Sequence, residues 1–179
     1  PGKASRGKAI SKDVKTGGSM AKGRNRIPFL AVAAAIIVLT ACNNSVVFND
    51  ARDMPEKTWS LSDVPLFSVP VDDTINSNNI SFSIRTSALY PFRNIWLFVT
   101  TTSPDGTTIS DTLQYNLADE KGKRYGKGFG DIRELTLPYR LNVYFPVKGS
   151  YLVRVQHGMR TQDLKGVYDF GLRVDRISK

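Results

Sequence analysis

Apolar and polar residues alternate along most of the chain after residue 59, and a period of two is typical of β-strands. The clearest run ends the chain, where Tyr168, Phe170, Leu172 and Val174 share one face. No stretch in this region sustains the 3.6-residue spacing of an amphipathic helix. About eight such runs, separated by turn signals, predict an all-β fold. We expect a single antiparallel β-sandwich of jelly-roll or immunoglobulin-like type.

Two of the runs carry more specific information about position. Pro70 cannot donate a backbone hydrogen bond, so the run from Phe67 to Val71 is predicted to be an edge strand. The run from Ile95 to Val99 is apolar at every position, which favours an interior strand covered on both faces. Trp96 lies in this run and is therefore expected to be part of the core.

An uncharged apolar run, residues 27–41, precedes the only cysteine of the chain. A membrane-spanning helix needs about 20 apolar residues, so this run is short for a permanent span. Basic residues stand before it, and the ending Leu-Thr-Ala-Cys resembles the bacterial lipobox. This order is typical of a secretory signal. We therefore expect residues 20–41 to be a lipoprotein signal peptide and Cys42 to carry the covalent lipid.

The remaining boundaries follow from this interpretation. Residues 1–19 precede the signal and are an extension of doubtful relevance, residues 42–58 are polar and predicted to be a lipid-anchored tether, and residues 59–179 form the β-sandwich. The whole chain carries 25 basic and 16 acidic residues. Eight of the basic residues and one of the acidic residues lie in 1–41. The part after the signal therefore has a net charge of +2, too little to indicate nucleic-acid binding.

Three features could carry chemistry, and each has a simpler explanation. The glycine-rich loop 122–130 lacks the spacing of a phosphate-binding loop and is predicted to be a hairpin or bulge with positive φ. The acidic stretch 72–79 lacks the glycine and the final glutamate of a calcium loop and is predicted to be a turn. His157 is the only histidine. A hydrolase would need acids to converge on it, and a structural role is favoured. We predict no catalytic residue, no metal and no cofactor other than the lipid.

The aromatic residues could line the core or form a sugar-stacking surface. Tyr125 and Phe129 lie in the glycine-rich loop and are the ones most expected to be exposed. The full set considered is Trp59, Tyr90, Phe92, Trp96, Tyr125, Phe129, Tyr139 and Tyr144.

Several segments together resemble the GldH family of gliding-motility lipoproteins from Bacteroidetes. With the lipobox, the resemblance covers essentially all of 42–177. The matching pieces are Tyr90–Phe98, Ser103–Gly106, Asp111–Leu113, Leu117–Asp119, Gly122–Asp131, Gly149–Tyr151, Gln156–Arg160, Leu164–Val167 and Asp169–Val174.

The resemblance implies an outer-membrane lipoprotein that supports the gliding and type IX secretion machinery through contacts with other envelope proteins. It brings no enzymatic activity, cofactor, small-molecule substrate or nucleic-acid partner. Residues after Cys42 lack the acidic run of surface-exported lipoproteins, so the periplasmic face is expected. The alternative is a carbohydrate-binding envelope lipoprotein, with Tyr125 or Phe129 as the stacking ring.

Overall fold

The computed structural model describes residues 45–177, and these form an all-β domain. Every strand pair is antiparallel. A short 3-10 turn, Pro55–Lys57, lies between the first two strands. The strands are β1 (Val46–Asp53), β2 (Thr58–Ser60), β3 (Leu66–Val71), β4 (Asn78–Thr86), β5 (Asn94–Thr102), β6 (Thr108–Asn116), β7 (Arg133–Val143), β8 (Gly149–His157), β9 (Asp163–Lys165) and β10 (Val167–Arg176).

Two four-stranded sheets pack as a sandwich, with the orders β1-β10-β4-β7 and β3-β8-β5-β6. The two three-residue strands, β2 and β9, pair with each other. Without them, the eight longer strands have the order of a jelly roll, a double-sheet fold built from Greek keys, and only β5 and β6 among them are consecutive strands of one sheet. The all-β, antiparallel sandwich predicted from alternation is confirmed, and the strand order selects the jelly-roll form. Pro70 lies on the edge strand β3, as expected.

The core lies between the inward faces of the two sheets. Phe82 and Phe170, with ring centroids 5.2 Å apart, contribute from the first sheet. Trp59 packs against Phe170 at 4.9 Å and is fully buried. Its indole N–H donates to the carbonyl of Asp63 at 2.7 Å, so the ring is buried without an unpaired donor. Each large side chain buried here stabilises the fold by about 1.5–3 kcal/mol.

The domain begins earlier than the sequence predicts. Residues 42–58 were expected to be a tether, but Val46–Asp53 form β1, which pairs along its length with β10. Asp50 and Arg52 belong to this strand, where Asp50 is half-buried and Arg52 is exposed. An edge strand is stabilised by its backbone hydrogen bonds on one side and needs few apolar residues. Polar composition therefore did not distinguish this strand from a linker.

Side-chain contacts join the neighbouring edges of the two sheets, β6 and β7. The hydroxyl of Tyr115 donates to the carbonyl of Pro138 at 2.7 Å. Asp111 accepts from the hydroxyl of Tyr139 at 2.6 Å and from the guanidinium of Arg140 at 2.7 Å. The Tyr139 hydrogen bond, with Arg140, lowers the pKa of the Asp111 carboxyl. These contacts fasten the sandwich along this side.

Candidate interaction surface

The outward face of the β1-β10-β4-β7 sheet is charged. Arg85 forms a salt bridge with Asp169, whose side chain is almost fully buried. On the neighbouring positions Arg173 binds Asp175 at 2.7 Å. The charges pair with each other across the strand surface. A face of this composition is well solvated and does not require a partner.

The outward face of the other sheet is different in character. Trp96 and Phe98 point outward from β5 and are 38% and 47% exposed. Among the described strands of this sheet, β3-β8-β5-β6, Arg154 on β8 is the only charged residue at an outward position. The remaining outward positions are uncharged: Leu66, Ser68, Pro70, Asn94, Thr100, Thr102, Thr108, Ser110, Thr112, Gln114, Asn116, Ser150, Leu152 and Gln156.

The prediction that Trp96 is part of the core was wrong. Ile95, Leu97 and Val99 point inward and are fully buried, so the side chains between them must point outward. The continuous apolar run did predict an interior strand, and β5 does lie between β8 and β6. Within residues 45–177, however, no strand or helix covers its second face. The run is apolar on a face that this part of the chain leaves open.

The exposed rings border a hollow of about 410 Å³, whose lining includes Phe92, Trp96, Phe98 and Met159. Gly158 is what allows the backbone after β8 to lie against these rings. A Cβ atom there would come within 2.9 Å of the Phe98 ring. We name this area, formed by these four side chains and Gly158, the Trp96 surface.

Backbone contacts hold the Trp96 surface in place. The amide of Gly158 donates to the carbonyl of Trp96 at 2.7 Å. The amide of Trp96 in turn approaches the sulfur of Met159 at 3.3 Å. Because Trp96 and Phe98 rise from the central strand β5 and not from a loop, these two rings are displayed on a rigid support.

The other aromatic residues considered from the sequence are dispersed. Tyr90 is buried, and its hydroxyl donates to the carbonyl of Asn94 at 2.7 Å. Burial raises its pKa. Tyr139 stacks on Phe82 at 5.0 Å, whereas Tyr144 is exposed. Tyr90, Tyr139 and Tyr144 therefore do not belong to the Trp96 surface, whereas Phe92 does.

The glycine-rich loop folds as predicted from its glycines. Gly122, Gly126 and Gly130 all have positive φ. At Gly126 the backbone passes so close to β7 that a Cβ atom would lie 2.2 Å from the carbonyl oxygen of Glu134. Phe129 at the tip is 95% exposed.

Both aromatic residues of this loop are exposed, as expected, since Tyr125 is 46% exposed. The loop's Arg124 is half-buried, and its guanidinium donates to Thr86 and to the carbonyl of Ser87. Burial lowers the pKa of Arg124. The loop is thus a folded hairpin-like connection with two solvent-facing rings.

The acidic stretch forms a turn over residues 72–77, and its last two residues, Asn78 and Asn79, begin β4. One oxygen of Asp73 accepts from the backbone amides of Ile75 and Asn76, and the other accepts from the Asn76 side chain at 2.7 Å. These hydrogen bonds lower the pKa of Asp73 to about 2. Arg176 lies 3.2 Å from the same carboxylate. Turn formation accounts for the oxygen atoms that a metal would need, and no acidic or histidine cluster of metal-binding size occurs in residues 45–177.

His157 is fully buried at the end of β8, where it packs edge-on against Trp59 at 5.5 Å. Neither ring nitrogen has a hydrogen-bond partner within the described residues. Burial lowers the pKa of the imidazole, which is therefore neutral at pH 7. A general base needs a hydrogen-bonded orienting group and access to substrate, and this histidine has neither here.

Cys42 and the predicted signal peptide lie outside the described residues. In the region from 45 to 177, no helix has the length and apolar character needed to cross a membrane. The first described strand starts four residues after the cysteine.

Comparisons with known proteins converge on one family. The GldH lipoprotein family matches residues 46–174. The gliding motility lipoprotein GldH of Flavobacterium johnsoniae is 33% identical over 149 residues, which cover 79% of this chain and 92% of that protein. The gliding motility lipoprotein GldH homolog of Christiangramia forsetii is 30% identical over 148 residues, covering 79% and 90%.

Solved structures add little to this result. A family 16 carbohydrate binding module shares 9% identity, covers 72% of this chain and 83% of its own, and has a TM-score of 0.24. A score this low supports no argument about fold or function. The sequence matches are much stronger, because they extend over nearly the whole described domain. The chain belongs to the GldH family of gliding-motility lipoproteins.

Proposed function

We propose that this lipoprotein is a non-catalytic component of the gliding and type IX secretion machinery, and that it binds another envelope protein through the Trp96 surface. The carrying observation is the contrast between the two outward faces. One displays paired charges, whereas the other displays Trp96 and Phe98 among uncharged hydroxyl and amide side chains.

This composition matches the centre of protein interfaces. Such centres are depleted in charged residues and enriched in tryptophan, phenylalanine and methionine. Exposed tryptophan is also among the side chains that most often dominate binding energy. Arg160, next to Met159 at the hollow, supplies a polar rim. The occupant that we infer is a folded protein with an apolar side chain able to enter the hollow.

The anchor completes the proposal. A lipid on Cys42 would hold the chain in the outer membrane, with the domain on the periplasmic side. Residues 43–45 are all that separate this cysteine from β1. Three residues extend about 10 Å at most, so the domain would stay close to the membrane surface. A partner would therefore be met at the membrane and not deep in the periplasm.

The test is crosslinking of an affinity-tagged copy in its own cells. We expect the wild-type protein to recover motility or secretion components, and both Cys42→Ala and the double variant Trp96→Ala/Phe98→Ala to recover much less. Phe129→Ala is the matched control, because it removes an aromatic ring that is more exposed but lies in the glycine-rich loop. Equal recovery by the Trp96 and Phe98 double variant would refute the assigned surface. Failure of the wild-type protein to recover any envelope protein would refute the function.

A carbohydrate-binding role is the second candidate. Trp96 and Phe98 stand two residues apart on one strand, about 7 Å along it, with Gln114 and Thr112 opposite them. Flat rings bordered by amide and hydroxyl groups suit sugar stacking and hydrogen bonding. Binding of the purified protein to envelope polysaccharide, abolished by Trp96→Ala and retained by both Tyr125→Ala and Phe129→Ala, would favour this role.

A further inference from the structure

A second open space lies inside the sandwich and shares no lining residue with the hollow at the Trp96 surface. It is a cavity of about 320 Å³ between the two sheets. Ile80, Leu172 and Val174 line it from the first sheet, and Val69 and Val153 line it from the second. We call it the inter-sheet cavity.

The cavity exists because the two ends of the core are filled differently. Near Trp59 the rings of Phe82 and Phe170 occupy the space between the sheets. At the other end Val69, Val153 and Val174 point inward, and these short side chains leave part of the gap between sheets about 10 Å apart unfilled.

The course of β7 adds to the opening. Its pairing with β4 shifts register on both sides of Ile80, and such bulges bend the strand. Asn142, just before the strand ends, has a φ of 54°, and its amide is held by the side chain of Asn79 at 3.0 Å. The end of β7 is therefore fixed in an irregular path beside the cavity.

The chemistry of the lining changes from the interior to the mouth. The interior is apolar, with the buried rings of Phe145 and Tyr151 beside the aliphatic side chains. The mouth is bordered by Ile109 and Tyr144, which are 48% and 55% exposed. Thr107 and the guanidinium of Arg140 also border the space. Arg140 is bound to Asp111 but is partly exposed, and a guanidinium has five N–H donors, so some remain free for a second anion.

These features define the ligand. We propose that the inter-sheet cavity binds the aliphatic chain of a single-chain anionic amphiphile, with its head group beside Arg140. A cavity lined by Leu, Ile and Phe with a volume of about 150 Å³ takes up benzene, so this larger one readily holds an apolar guest. A group of the size of a water molecule occupies about 30 Å³, so the cavity volume holds roughly ten heavy atoms. A decanoyl chain has this size.

The position of the cavity agrees with a lipid source. Val46, where the chain enters the domain, pairs with Asp175, and Asp175 pairs with Asn79 next to the cavity-lining Ile80. Val143 at the cavity pairs with Asn78 at the same end of the sheet. The cavity thus lies at the end of the sandwich where the chain arrives from Cys42. A free fatty acid has both parts of the required chemistry, whereas an acyl group on Cys42 or a chain of a diacyl membrane lipid supplies only the aliphatic part.

The test uses the full-length lipoprotein, purified from its membrane into an amphipathic polymer that leaves no free detergent. Co-purifying lipids are extracted and identified by mass. The protein is then irradiated with a diazirine-bearing decanoic acid, and the adducts are mapped by peptide mass spectrometry. We expect adducts on peptides that contain Ile80, Val143 or Val153, or else a stoichiometric extracted acyl lipid. Absence of both, in wild type and in Cys42→Ala alike, would overturn the proposal.

Variants test the location and the source. Val153→Trp, which fills the cavity, and Tyr144→Ser, which alters its exposed rim without touching the core, should each reduce labelling several-fold. Leu141→Ser is the matched control, because Leu141 is also exposed on this side but does not line the space. Undiminished labelling in Tyr144→Ser would overturn the assigned mouth. Labelling that appears only in Cys42→Ala would identify the chain's own acyl group as the occupant and would overturn the proposed free anionic ligand.

Competition of unlabelled ligands with the photoreactive probe tests the role of Arg140. Unlabelled decanoate should compete with the probe at least tenfold better than decanol, because only the acid carries a charge for the guanidinium. Equal competition would overturn the anionic head group and leave a purely apolar ligand.

Discussion

Replacement of His157 by phenylalanine should remove most of the pH dependence of stability between pH 7.5 and 5. The imidazole is fully buried against Trp59, and neither nitrogen has a hydrogen-bond partner in the described domain. Burial disfavours the charged form and lowers the pKa of the folded state below the ordinary value of 6.5. Phenylalanine keeps the ring packing and removes the two unpaired polar atoms.

The sign and the limit of the effect follow from proton linkage. Below pH 6.5 the unfolded chain binds a proton that the folded protein resists, so the free energy of unfolding falls as the pH falls, until the lowered folded-state pKa is reached. One pH unit is worth at most about 1.4 kcal/mol for one group. Between pH 6.5 and 5 the wild-type protein should therefore lose up to about 2 kcal/mol.

The pH dependence in this range can be assigned to His157, because the chain contains a single histidine. The carboxyl groups with lowered pKa, Asp73 and Asp111, lose their stabilising effect only as the pH falls below the ordinary carboxyl value of 3.8. The neighbouring backbone of Trp59 and the charge of the exposed Asp163 favour the protonated imidazole, but burial outweighs both and the pKa is lowered.

Urea unfolding of residues 43–179 at pH 5.0, 6.0 and 7.5 and constant ionic strength would supply the free energies. The control is Val155→Ala, two residues before the histidine on the same strand and also fully buried. It should be less stable than wild type at every pH but keep the pH slope. A His157→Phe protein with the wild-type slope would refute the reasoning, since another group would then be responsible.

Two further comparisons use matched pairs. Gly126→Ala should destabilise the domain by more than about 3 kcal/mol, because positive φ costs about 1–2 kcal/mol and the Cβ atom would also overlap the carbonyl of Glu134. Gly122 has positive φ in open space, so Gly122→Ala should cost only about 1–2 kcal/mol, the cost of the backbone conformation. Urea unfolding measures both losses. Ile95→Ala should cost about 2–5 kcal/mol, whereas Trp96→Ala, one residue away on the open face, should cost about 1 kcal/mol or less and leave its circular dichroism spectrum in the far ultraviolet unchanged. Equal losses within either pair would contradict the assigned environments.

Side-chain periodicity was enough to predict the β-sandwich, and proline chemistry was enough to place an edge strand. Both signals are local, since the period of two and the missing amide of Pro70 act within a few residues. The family resemblance was also available from short segments. The lipidation of Cys42 stays a prediction, because that residue lies outside 45–177.

What sequence reasoning missed depends on long-range pairing. β1 contains Asn49, Asp50 and Arg52 and reads as a linker, yet its backbone pairs with a strand more than 100 residues later. Such pairing is decided by the whole sheet and leaves little trace in a polar edge strand. The jelly-roll order and the inter-sheet cavity depend on the same long-range packing, and on summed side-chain volumes that no local pattern reports.

The error at Trp96 is of another kind and supports the proposed function. A strand that is apolar at every position was taken to be covered on both faces, and that inference from burial is sound for a chain that folds alone. The described domain covers one face only, while its other sheet carries ordinary paired charges outward. If the pattern of Ile95 to Val99 does reflect two covered faces, the second cover comes from outside residues 45–177, and we propose that it is another protein. The same residues that misled the prediction of the core therefore become the argument for a partner, and the place to look for it is the Trp96 surface.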